Sequence, residues 1–161
     1  MNLLVKFEEY IKQQHLFQPK DMLLLAVSGG VDSVVLCELC KQAGYDFKIA
    51  HCNFQLRGKE SDRDEDFVKG LGKKYDVEVL VKRFDTQKYA EENKLSIQVA
   101  ARGLRYEWFN ELLIKIKDDL NPEGSNDQRP TVNKYDALKN GQLPLPHSCF
   151  YQRFFSAEDK Y

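Results

Sequence analysis

Met22-Leu23-Leu24-Leu25-Ala26-Val27-Ser28-Gly29-Gly30-Val31-Asp32-Ser33 passes from an unbroken apolar run into a polar turn built on paired glycines. Such a run suits a strand buried on both faces, as in a parallel sheet. Behind the turn, Ser33 to Ala43 reads as a helix that Gly44 stops. A helix start offers backbone N–H groups without intrahelical partners and the positive end of a dipole, which together favour anions. Gly29 and Gly30 let the backbone approach phosphate oxygens with no Cβ in the way, and Ser28 and Ser33 add hydroxyl donors. Asp32 is the odd member, since a carboxylate repels phosphate unless a cation lies between them. Mg²⁺ bridging Asp32 to the phosphates of a nucleotide is the economical reading. The bland alternative is a tight turn capped by Ser28 or Asp32.

Outward from this turn the same alternation continues. Leu3, Leu4, Phe7, Tyr10 and Ile11 recur at helical spacing before the run, and Pro19 and Asp21 mark a break. After it, Phe47 to His51 reads as a second strand and Asn53 to Gly58 as a polar loop. Ser61 and Asp64 have capping-box spacing for a helix whose buried stripe is Phe67, Leu71 and Tyr75, with Gly70 and Gly72 weakening it. Val77 to Val81 reads as a third strand, Thr86 to Asn93 as a short helix, and Ile97 to Lys117 as a long one. Ile97, Ala101, Leu104, Trp108 and Leu112 lie on one face of that long helix. The order α-β-α-β-α-β-α-α predicts an α/β fold, a parallel sheet with helices on both faces. Residues 1–117 form one domain on this reading, with 1–20 as its leading helix. Residues 118–161 hold four of the five prolines and turn signals such as Asn140-Gly141, and read as a loop-rich tail.

Bulk properties narrow the class. A chain of 161 residues is the length of one domain, and 42% apolar with 30% charged residues is ordinary for a globular protein. A formal net charge of −1 gives no global field favouring nucleic acid, which leaves only a local basic patch for such a partner. Met22 to Val27 is too short to span a membrane, and Lys6, Glu8, Glu9 and Lys12 interrupt the N-terminal apolar pattern, so no signal peptide is read. The expected compartment is the cytoplasm. Cys37 and Cys40, inside a predicted helix, read as small buried hydrophobes; Cys52 and Cys149 do not complete a metal site with them.

Two other phosphate loops are excluded by inspection. Gly58-Lys59 and Gly72-Lys73 are followed by Glu60 and Lys74 and lack the leading glycine of a Walker A motif. Gly70-Leu71-Gly72 lacks the third glycine of the dinucleotide fingerprint. Ala26-Val27-Ser28-Gly29-Gly30-Val31-Asp32-Ser33 instead resembles the PP-loop of the N-type ATP pyrophosphatases, which are Rossmann-like. Ala50-His51-Cys52-Asn53-Phe54-Gln55-Leu56-Arg57-Gly58 with Glu60-Ser61-Asp62-Arg63-Asp64 is similar to a segment of the tRNA(Ile)-lysidine synthases. So is Ser96-Ile97-Gln98-Val99-Ala100-Ala101-Arg102 with Leu104-Arg105-Tyr106 and Trp108-Phe109. The three blocks cover about residues 22–113, although Phe54 stands where many members carry histidine.

The resemblance implies a reaction in which ATP adenylates the C2 carbonyl oxygen of the wobble cytidine of an isoleucine tRNA. L-lysine then displaces AMP. It implies that Ser28, Gly29, Gly30, Val31, Asp32 and Ser33 cradle pyrophosphate, that Asp32 holds Mg²⁺, and that Ala26 and His51 border the adenosine. It assigns Arg102 to a phosphate or the reacting base and leaves Arg105 open; solvated pairing with Glu107 or Glu111 is the alternative for both arginines. Arg57 and Lys59 read equally as tRNA contacts or as a solvated loop, and a homodimer is left open. His15 and His147 have no partner spacing. Nothing in 118–161 is similar to the family's later His-and-paired-Asp segment, which predicts a sheet with the edge of its first strand uncovered. The alternatives are a PP-loop domain that binds ATP without turnover, and another PP-loop enzyme such as a tRNA thiolase, for which Cys52 near a strand end is the relevant residue.

Overall fold

A computed structural model describes residues 2–120 and the backbone of residues 151–153. The leading helix α1 spans Leu3–Gln13, with Asn2 accepting the Leu4 N–H at 3.1 Å as its cap. Strand β1 (Met22–Ala26), helix α2 (Val31–Gln42), strand β2 (Asp46–Asn53), helix α3 (Lys59–Tyr75) and strand β3 (Val79–Arg83) follow. Helices α4 (Thr86–Glu92) and α5 (Ile97–Leu120) come next, and β4 (Tyr151–Arg153) is the last element.

The sheet order is β3-β2-β1-β4. Met22–Ala26 pairs in parallel with Asp46–Ala50, and Ile49–Asn53 in parallel with Val79–Arg83. The expected parallel α/β sheet is therefore present. Leu23 and Leu25 enter a core with Ile11, Cys37, Cys40, Phe47, Ile49, Val68, Leu71 and Tyr75, while Leu24 enters a second core with Ala50, Phe84, Trp108, Phe109 and Leu112. Helices α1, α2 and α3 cover one face and α5 the other, which is why the β1 run carries no polar alternation. Cys37 and Cys40 are buried hydrophobes, as read, and burial pushes the Cys40 thiol up to about 12.

The edge of β1 is not bare. β4 pairs with it antiparallel, Leu23–Leu25 opposite Arg153–Tyr151. This corrects the expectation of an uncovered edge, because the unpaired N–H and C=O groups of an edge strand accept any extended segment that reaches them. Residues 121–150 and 154–161 lie outside the described residues, as do His147, Cys149 and most of the stretch read as a loop-rich tail.

Several boundaries and faces also differ from expectation. Helix α2 starts at Val31, because the Ser33 hydroxyl (2.8 Å) and the Val34 N–H (3.2 Å) both donate to the Gly30 carbonyl and close the first turn early. Helix α3 starts at Lys59 behind Gly58, so Ser61 is no cap; its Oγ accepts the Arg57 N–H at 3.2 Å. The buried stripe of α3 is Val68, Leu71 and Tyr75; Phe67, one position off that face, is 49% exposed. β3 begins at Val79 rather than Val77, since left-handed Asp76 (φ 55°) sends the Val77 N–H back to the Gly72 carbonyl at 3.0 Å. In α5 the buried face starts at Ala100 and leaves Ile97 39% exposed, and in α1 Leu3 and Tyr10 face water while Ile11 is buried.

Candidate functional site

The carboxyl ends of β1 and β2 open into a cavity of about 360 Å³. In open parallel sheets this is where ligands bind, because the loops leaving neighbouring strands splay apart there. Ala26, Val27 and Ser28 form one wall, residues 50–54 a second, and Arg57, Ser61 and Asp64 the mouth. Arg105 and Phe109 of α5 close the side.

The turn after β1 is built as its sequence suggests. Gly29 takes φ +96°, which favours glycine, and Gly30 caps α2 in an extended conformation. The first backbone bond of α2 runs from Val34 to Gly30, so the amides of Val31, Asp32 and Ser33 precede it. The Gly30 amide is engaged, donating to Ser28 Oγ at 3.2 Å. Ser33 is buried and its hydroxyl donates to Gly30, so it holds the turn rather than facing the cavity. Asp32 is exposed in the first turn, where its charge also suits the helix dipole. Of this loop Ser28 alone lines the cavity wall; Gly29, Gly30, Val31, Asp32 and Ser33 follow it around the start of α2.

His51 is 3% exposed, and its Nδ1–H donates to the Val27 carbonyl at 2.7 Å. That bond joins the ends of β1 and β2 and leaves Nε2 as the ring's acceptor. Ala26 and His51 both line the cavity, on its two neighbouring walls.

The two arginines of α5 separate. Arg102 is exposed, its guanidinium 5.6 Å from the Tyr106 ring centroid, and it is not among the cavity residues. Arg105 is in the wall, its guanidinium 5.3 Å from the Phe54 centroid, with Phe54 stacked on Phe84 at 5.6 Å. No ion pair joins either arginine to a carboxylate among the described residues; Glu111, one of the proposed partners, pairs with Lys82 at 3.3 Å. Arg57 pairs with Asp64 at 2.9 Å across the mouth. Cys52 also lines the cavity, and burial pushes its thiol up to about 12 against the pull of Arg105.

Asn53, Phe54 and Asp64 carry no site role in the sequence reading, where Asp64 is the capping-box partner of Ser61 and Phe54 a departure from the family pattern, yet they line this space. The signal was available for Asn53, which ends a buried strand with a polar side chain. It was absent for Asp64, one charge among many at the start of a helix. Among the described residues no group of three or more His, Cys, Asp or Glu side chains could hold a metal ion unaided. Asp32, an exposed carboxylate at the start of α2, is an oxygen donor of the kind a hard divalent cation accompanying a polyphosphate takes. No described helix is long and apolar enough to cross a membrane.

A glycine-paired turn between a buried parallel strand and a helix, opening on a cleft at the strand ends, defines a nucleotide-binding α/β protein of the phosphate-loop kind. Residues 3–121 match the PP-loop domain family, and the chain belongs to that family, whose members use ATP. The chain is 52% identical over 110 residues to the tRNA(Ile)-lysidine synthase of Bacteroides thetaiotaomicron, covering 68% of this chain and 25% of that protein. It is 50% identical over 103 residues to the protein of the same name from Porphyromonas gingivalis, covering 63% and 23%. With the one from Thermosipho africanus it shares 43% identity over 119 residues, covering 72% and 28%. The chain spans about a quarter of the length of these curated relatives.

Proposed function

We propose that this chain is the ATP-binding domain of a tRNA(Ile)-lysidine synthase, working on an isoleucine tRNA and L-lysine. The observation that carries the reading is the cavity at the ends of β1 and β2, with Ser28 on its wall and the start of α2 beside it. Residues 28–33 grip the pyrophosphate portion of ATP, chiefly through the amides of Val31, Asp32 and Ser33 ahead of the first helical bond, and Ala26 and His51 border the adenosine. Asp32 is the carboxylate that would hold Mg²⁺, which would supply charge neutralisation at the phosphates. The C2 carbonyl oxygen of the wobble cytidine attacks the α-phosphorus and pyrophosphate leaves; the lysine amine then attacks C2 and AMP leaves with that oxygen. The protein's part is alignment and charge neutralisation.

Arg102 serves as the clamp on a phosphate or the reacting base, reaching from the exposed face of α5 towards a macromolecular substrate. Arg105 supports the nucleotide from inside the cavity, since its stacking on Phe54 fixes the guanidinium. A thiolase is disfavoured because the Cys52 thiol, held at about 12, stays protonated and weakly nucleophilic.

Pyrophosphate release tests the assignment. With Mg·ATP, an isoleucine tRNA transcript and lysine, release is expected to require all of them. Release with the tRNA omitted, or with another amine as effective as lysine, contradicts the substrate assignment.

A further inference from the structure

We propose that Glu65 is a positioning residue whose carboxylate fixes the Asn53–Arg57 wall of the cavity; the consequence for ligand binding rests on the ATP reading above. Glu65 lies on the buried face of α3 with its side chain 3% exposed. It accepts from Asn53 Nδ2 at 2.8 Å, Lys69 Nζ at 2.7 Å, and Arg83 Nε and Nη2 at 2.9 and 3.2 Å. A carboxylate has about four lone-pair sites, and these donors fill them. Glu65 therefore has nothing left to offer a ligand or a metal. Burial alone would push its carboxyl upward, but the hydrogen bonds from Lys69, Arg83 and Asn53 outweigh it and hold the acid at about 2.

The donors are not equal. The Lys69 and Arg83 side chains are 50% and 55% exposed and would hydrate without Glu65. Asn53 is 2% exposed, and its other two Nδ2 acceptors, the Ser61 carbonyl and Asp62 Oδ1, are both at a long 3.4 Å, so Glu65 is its short partner. Its Oδ1 accepts the Gln55 N–H at 3.0 Å, and Gln55 has φ 53°, a left-handed conformation that needs an external hold in a residue with a Cβ. Gln55 Nε2 in turn donates to the Phe84 carbonyl at 3.1 Å, and Thr86 Oγ1 to the Phe54 carbonyl at 2.9 Å. The chain Glu65–Asn53–Gln55 thus ends on the segment that carries Phe54 and Arg57 into the cavity.

Amide exchange in the nucleotide-free protein tests the hold itself. Glu65→Leu, which leaves Asn53 no acceptor at that position, is expected to speed exchange at Gln55 about tenfold while Leu25 and Ile49 in the sheet stay protected. Lys69→Ala, which removes one half-exposed donor, is expected to change neither. Where the wild type binds Mg·ATP, Glu65→Leu weakens the affinity about tenfold, and adding Asn53→Ala costs little more because both cut one chain. Unchanged Gln55 exchange overturns the proposal, and so does unchanged ATP affinity in a variant whose Gln55 is released. If Glu65→Leu does not fold, Asn53→Ala alone decides: wild-type ATP affinity in it overturns the proposal. Absence of ATP binding by the wild type would contradict the ATP reading, while nucleotide-free exchange still decides on Glu65.

Discussion

At Gly29 the backbone adopts φ +96°, where any side chain strains the chain. A Cβ there would meet Asp64, Phe67 and Val68 at 3.7 Å, an ordinary contact, so the cost of Gly29→Ala is conformational. We expect about 1–2 kcal/mol in urea unfolding; a variant as stable as wild type would contradict the geometry of the turn. Among the described residues, two glutamates are held well below the usual carboxylate range. Hydrogen bonds from Tyr75, then Gln42 and Lys74, hold Glu38 at about 2, and Glu65 stands at the same value against an ordinary 4.5. Both folded values are depressed, so their stabilisation is complete above about 4.5 and drains as pH falls towards about 2. Tyr75→Phe removes the leading donor and should raise the Glu38 value, read by a carboxyl NMR titration; an unmoved Glu38 would deny that cause. Ser28, Gly29 and Gly30 were legible in the sequence because their residue types are tied to local backbone geometry. Glu65 was not: a glutamate in a charged helix reads as solvated, and only the meeting of β2, α3 and β3 makes it central. Nor does sequence spacing decide which of Arg102 and Arg105 turns into the cavity, since they share one side of α5 and the packing of Phe54 and Phe84 selects between them.

Within α3, two glycines two positions apart have opposite roles. A Cβ on Gly72 would overlap Val79 Cγ2 and lie 3.1 Å from the Val77 carbonyl, whereas one on Gly70 meets nothing within 4 Å. Gly72 is what lets α3 lie close against the start of β3. Gly72→Ala should destabilise by about 1–3 kcal/mol through overpacking. Gly70→Ala, on the exposed side, should stabilise by about 0.5–1 kcal/mol through helix propensity. Equal effects from the two would contradict this packing. Element types were readable from the apolar patterns, because a strand covered on both faces and a helix covered on one bury different spacings. Their ends were less readable, since Ser33, Ser61 and Asp76 fix the boundaries through hydrogen bonds that depend on loop geometry.

For the whole molecule, the parallel core followed from the sequence, but its fourth strand did not. β4 is three residues long and is defined by the edge of β1 it covers rather than by a pattern of its own. The cavity, too, belongs to this scale, as it is assembled from the ends of β1 and β2, the start of α3 and one side of α5. The use proposed for it is the binding of Mg·ATP, with residues 28–33 on the phosphates. Calorimetric titration of Mg·ATP into wild type and Asp32→Ala tests this most directly, with the single tryptophan, Trp108, reporting that both are folded. Saturable binding by the wild type, weakened about tenfold or more in Asp32→Ala, is the expected result. Equal affinity in the two proteins, or no saturable binding by the wild type, would contradict the account.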